Sequence, residues 1–174
     1  MKITILGIGN ILYGDEGFGV RVVEELKNMG LPEDVELIEG GTDGAKLLPV
    51  ITQADYLIII DAISADDEAG AIFRIPIEEL RQRQGLPIIK TSLHQMSIMD
   101  VLSMANVLDR QVRGVIIGIQ PKEIPLHPSL PPVCVQRTGR HEVGGWSRGN
   151  LSPEIEARVP EVIDLIMKEV HSYA

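Results

Sequence analysis

Three side chains are of the right types to act together on a substrate: Glu16, Asp61 and His94. Each stands where an apolar run gives out. Glu16 belongs to the glycine-bracketed segment Gly14-Asp15-Glu16-Gly17, shortly after Ile3, Ile5, Leu6 and Ile8. Asp61 directly follows Tyr56-Leu57-Ile58-Ile59-Ile60, and His94 falls in the first turn of a helical pattern behind Thr91 and Ser92. Functional groups of an open parallel sheet gather outside the carboxyl ends of its strands, so all three could share one crevice. An imidazole with two carboxylates suits a borderline divalent metal, with positions left for water or another ligand. The same trio can do general acid–base work without metal. Spacing alone does not choose among these and plainer readings, in which His94 meets a backbone carbonyl and Asp61 stabilises its own loop.

The stretch from Lys2 to Gly19 must position Glu16. Its apolar run reads as a strand buried on both faces, and Gly7, Gly9 and Asn10 let the backbone turn tightly behind it. Gly7-Ile8-Gly9 also opens a dinucleotide fingerprint, but Leu12 stands where the third glycine belongs. Asp15 and Glu16 at the start of the following helix would repel a phosphate and favour a cation. As the bland alternative, both acids simply complement the helix dipole.

Composition narrows the class further. A chain of 174 residues fits one domain with a substantial core, and 3% aromatics make that core aliphatic. A net charge of −9 argues against nucleic acid, whose recognition needs a basic face. With Cys134 alone there is no intrachain disulfide, and no basic leader segment or long apolar run is present. The expectation is a soluble, cytoplasmic protein that neither binds nucleic acid nor enters a membrane.

Helical spacing at Val20, Val23 and Leu26 is stopped by Gly30 and Pro32. Val35 to Ile38 reads as a second strand, Ala45 to Ile51 as a helix and Tyr56 to Ile60 as a third strand. This alternation predicts an α/β fold with a parallel sheet. Ala71 to Ile75 reads as an edge strand, Ile77 to Gln84 as a helix and Ile88 to Lys90 as a short strand. A helix bearing Met96, Met99, Leu102 and Val107 on its apolar side follows, then a buried strand from Val112 to Ile119. Residues 121–150 are rich in proline and glycine and carry a charge of +2, leaving −11 on the remainder. So long a loop inside a compact domain is uncommon. His127, Cys134 and His141 within it fit no zinc spacing. One last helix starts at Ser152-Pro153-Glu154 and runs past Val170.

Gly7-Ile8-Gly9-Asn10, Gly14-Asp15-Glu16-Gly17, Gly40-Gly41-Thr42, Ile60-Asp61-Ala62, His94-Gln95 and Ile117-Gly118-Ile119-Gln120-Pro121 occur in this order. Together they resemble the hydrogenase maturation endopeptidases, which trim the C-terminal tail from the large-subunit precursor of nickel–iron hydrogenases. The resemblance covers residues 1–121 and resumes at Leu151-Ser152-Pro153. It implies a three-layer sandwich with a twisted, mostly parallel five-stranded sheet and helices on both faces. It also implies that Glu16, Asp61 and His94 are both the catalytic and the nickel-binding residues. The nickel is expected to be supplied by the substrate precursor, and the protease is expected to be a monomer. Two features depart from the family pattern: Glu39 stands where Asp is common, and the 121–150 insertion is longer than usual. The insertion is expected either to lie near the crevice and help select the cognate precursor or to be a surface loop with no role. A non-proteolytic metal-binding or chaperone-like module, a small-molecule metal-dependent hydrolase and a nucleotide-binding protein are the alternatives carried forward.

Overall fold

The computed structural model describes residues 1–82, 98–108, 111–122 and 149–173. Its strands are β1 (Ile3–Ile8), β2 (Val35–Gly41), β3 (Tyr56–Ala62), β4 (Ile72–Pro76) and β5 (Gly114–Ile119). Helices α1 (Phe18–Leu26), α2 (Gly44–Gln53), α3 (Ile77–Gln82), α4 (Ile98–Val107), α5 (Pro153–Glu156) and α6 (Val159–Tyr173) complete it, with a 3-10 turn at Gly14–Gly17. The five strands form one sheet in the order β2-β1-β3-β5-β4, parallel except for the antiparallel edge strand β4.

The three central strands are buried along their whole length, as near-continuous Ile, Leu and Val runs require when both faces are covered. Alternation sorts their side chains. Ile3, Ile5, Tyr56, Ile58, Ile60, Val115, Ile117 and Ile119 pack with α1, α5 and α6. Leu6, Ile8, Leu57, Ile59 and Ile116 pack with α2, α3 and α4 on the other face. The result is the expected three-layer α/β/α sandwich.

Most expected elements are found close to where the patterns put them. Helix α1 starts two residues before Val20, because Phe18 and Val22 join Val23 and Leu26 in a wide buried stripe. On α4 the buried residues are Ile98, Val101 and Ala105, while Val107 is 86% exposed and lies off the apolar face expected for it. The last helix is interrupted between α5 and α6. Pro160 has no N–H to give the Glu156 carbonyl, and its ring would collide there, so the helix must restart. The expected strand at Ile88–Lys90 lies outside the described residues, as does nearly all of the 121–150 insertion. No helix among the described residues is long and apolar enough to cross a membrane.

At the amino end of β3, remote from Asp61, α6 is locked to the sheet by a buried carboxylate. Glu169 accepts a hydrogen bond from Tyr56 Oη at 3.0 Å and another from Arg74 Nε at 2.5 Å. The Tyr56 ring stacks on Tyr173 at a centroid distance of 3.8 Å. Tyr56→Phe keeps the stacking and removes one bond to a charged acceptor. Chemical denaturation should show a loss of about 1–2 kcal/mol, and unchanged stability would mean the bond contributes nothing.

Candidate active site

The crevice forms where the strand order reverses. From β1 the chain moves outward to β2 through α1, then crosses back over β1 to β3 through α2. The carboxyl ends of β1 and β3 therefore diverge at a topological switch point, the usual ligand position in open α/β sheets. In register, Gly7 lies opposite Ile60, so Asp61, still paired with β5 near the end of β3, stands one step beyond, level with Ile8.

Two close approaches bring the Glu16 turn onto this switch point. A Cβ on Gly19 would lie 2.1 Å from the Ile60 carbonyl oxygen and 2.4 Å from that of Ile8, so α1 rests directly on both strand ends. Gly9 has φ +133°, and a Cβ there would sit 1.8 Å from the Glu16 carbonyl oxygen. Only glycine allows either contact. The Glu16 carbonyl accepts the Asn10 N–H at 3.1 Å, and the Glu16 N–H donates to Tyr13 at 3.2 Å.

Glu16 is 6% exposed and Asp61 2% exposed. Burial raises the Glu16 carboxyl above its ordinary pKa. Asp61 is pushed up to about 7, first by burial and further by the neighbouring Glu16 charge, against the opposing bond from the Ala62 N–H. That bond reaches Oδ1 at 2.9 Å, whereas Oδ2 is buried with no hydrogen-bond partner among the described residues. Two buried carboxyl groups, the charge of one raising the other, and an orphaned oxygen suit a cation or proton transfer.

His94 lies outside the described residues, four positions before α4 in the chain. Among the described residues no three His, Cys, Asp or Glu side chains come together as metal ligands. Asp15, read from sequence alongside Glu16, points elsewhere. Its carboxylate accepts the Lys122 N–H at 3.0 Å, the Ser152 N–H at 2.6 Å and the Ser152 hydroxyl at 3.0 Å. Gln120, read as part of a motif without a role, accepts the Ala65 N–H at 2.7 Å and so braces the loop after Asp61. Neither role has a local sequence signal, since the partners lie 107 and 137 residues from Asp15 and 55 from Gln120.

The fold and the sequence agree on one family. The HycI family of hydrogenase maturation proteases matches residues 20–143. The chain belongs to the hydrogenase maturation proteases. It is 40% identical over 136 residues to the hydrogenase expression/formation protein HupD of Bradyrhizobium diazoefficiens, covering 76% of this chain and 70% of the relative. Of some other relatives it spans less than two thirds. The hydrogenase 2 maturation protease of Escherichia coli is 37% identical over 134 residues, 76% of this chain and 80% of its own. The structure of the hydrogenase maturating endopeptidase HybD from E. coli superposes with a TM-score of 0.76 at 29% identity, covering 99% of this chain and 93% of that one. Family membership selects a peptidase from the alternatives left open by the residues.

The family match contains Asp61 and begins four residues after Glu16. In this protease, the shift at Asp61 has a signed consequence. Between its ordinary 3.8 and about 7 the native state binds more protons than the unfolded chain, so stability falls as pH rises through that window. Asp61→Asn keeps an acceptor for the Ala62 N–H and removes the buried charge. In thermal melts of the metal-free protein it should gain on the order of 2–4 kcal/mol over wild type at pH 8 and little at pH 4. Parallel stability curves for the two proteins would refute the shift.

Proposed function

We propose that this protease removes the C-terminal tail of a nickel–iron hydrogenase large-subunit precursor, engaging nickel already installed there through Glu16, Asp61 and His94. The observation that carries this reading is Asp61 Oδ2, a buried carboxyl oxygen with no donor among the described residues and with a second buried carboxyl group nearby. An anionic pair of this kind is costly alone, and a divalent ion arriving with the substrate offsets the cost. Among the described residues the cationic side chains tied to the turn are engaged elsewhere: Arg21 with Glu24 and Lys122 with Glu154. Two oxygens and one imidazole nitrogen leave room in the coordination shell for the precursor's own ligands. Cleavage then waits on metal loading, because shared nickel holds the tail against the protease in reacting geometry. The 121–150 insertion takes part in selecting the precursor. Its described ends support this, for the Lys122 N–H binds Asp15 and the Gly149 N–H binds the Ile11 carbonyl at 2.8 Å, both beside the Glu16 turn.

The test is mass spectrometry of the precursor after incubation with the protease, once nickel-loaded and once nickel-free. Loss of a C-terminal peptide only from the loaded sample is expected. Cutting of both would remove nickel recognition and keep the peptidase; cutting of neither would overturn the precursor assignment. Glu16→Gln and His94→Ala should each slow processing by about 100-fold or more while the protein stays folded. Wild-type rates in both variants would overturn the site assignment. Excising residues 128–147, with Gly149 retained, should reduce the preference for the cognate over a non-cognate precursor in a competition assay. An unchanged preference would remove the insertion from substrate selection.

A further inference from the structure

We infer that Asp15 is a positioning residue for the cleavage reaction: its carboxylate clamps the turn that carries Glu16 at the ends of β1 and β3. The inference rests on the proposed role of Glu16 and extends it to a residue that does not touch the substrate. The turn it clamps is short and has little holding it from within. Residues Gly14–Gly17 form one 3-10 turn with glycine at both ends, and neither this turn nor α1 has a side-chain cap at its N-terminus. Glycine-flanked backbone is free to move unless something outside the turn fixes it.

Asp15 supplies that fixing point. It is 3% exposed, and its two oxygens accept from three donors on chain segments far away in sequence. Lys122 lies two residues beyond the Gln120 that closes the sheet's far side, and Ser152 immediately precedes α5. The same side of the turn is backed by residues 149–150. The Gly149 N–H donates to Ile11, Arg21 Nη2 donates to the Gly149 carbonyl at 3.2 Å, and a Cβ on Gly149 would lie 2.5 Å from Gly14 N. On the opposite side, Gly9 and Asn10 press on the Glu16 carbonyl. The Glu16 backbone is therefore gripped between the end of β1 and the Asp15 clamp, while its buried carboxyl group is bonded to neither.

The geometry separates the clamp from general stability. Displacing a reacting group by about 1 Å can cost 100-fold in rate with little change in binding. Losing a remote bond lowers stability and leaves the rate alone. Asp15→Ala, Ser152→Ala and, as a control that loses a buried carboxylate bond remote from the site, Tyr56→Phe should be compared on the nickel-loaded precursor at a temperature well below every melting point. Asp15→Ala is expected to lower kcat by about 10- to 100-fold with KM within about threefold. Ser152→Ala, which keeps two of the three bonds and the fold, should fall between it and wild type. Tyr56→Phe should keep wild-type kcat. Amide hydrogen exchange supplies a readout independent of cleavage: residues 14–17 should exchange at least about tenfold faster in Asp15→Ala, with β3 unchanged. If wild type itself leaves the precursor whole, the proposed substrate fails and the exchange comparison still decides the clamp. Equal kcat in Asp15→Ala and Tyr56→Phe, or unchanged exchange at residues 14–17, would overturn it.

Discussion

Two carboxyl groups held out of water beside each other are the constraint that the rest of this structure serves. Burial raises both Glu16 and Asp61, and the charge of one raises the other further. Left alone, a chain would relieve such a pair by turning one side chain to solvent or by closing a lysine onto it. Neither route is open among the described residues. Asp61 is fixed by its place at the end of a strand paired on both sides, and Glu16 by a turn packed on backbone. Among the described residues beside the turn, Arg21 and Lys122 each have an acidic partner of their own.

The rigidity of the frame follows from how little side chain lies between its parts. At Gly7, Gly9 and Gly19 the helix, the turn and the strand meet backbone to backbone, so a single added methyl would force them apart. Central strands made of isoleucine, leucine and valine give those contacts a base that is buried on both faces. The acidic pair is thus held at a site where the surrounding fold cannot easily collapse to neutralise it. In the proposed reaction that resistance is useful, because the compensating charge must come with the substrate rather than from the protease.

What could be read from sequence was whatever has a local signal. Continuous apolar runs disclosed β1, β3 and β5, and a strand end carrying one acid after five apolar residues disclosed Asp61. Glycine spacing marked the Glu16 turn as unusual. Features that depend on contacts between distant segments stayed hidden. Nothing near Asp15 announces Lys122 and Ser152, and nothing near Gln120 announces the loop it braces. Val107 was misplaced for a related reason: apolar character at helical spacing does not say which of two neighbouring stripes faces the sheet, and Ile98, Val101 and Ala105 take that position. The break before α6 has a local cause in Pro160, which the regular spacing of Ile155, Val159 and Val162 conceals.

Asp15 and Glu16 show most directly why pattern and chemistry diverge. Adjacent in sequence and identical in charge, they have opposite fates. Three donors answer the Asp15 carboxylate, while burial is the sole influence that shifts the Glu16 carboxyl. Helix-dipole complementarity treats the two acids alike and so cannot account for the difference. A carboxylate engaged by three donors on distant segments has little capacity left for a ligand and works as a fastener. The Glu16 carboxyl, without a hydrogen-bond partner among the described residues, keeps that capacity, and the fastener next to it holds its backbone in place. The pair therefore divides one motif into a structural half and a chemical half.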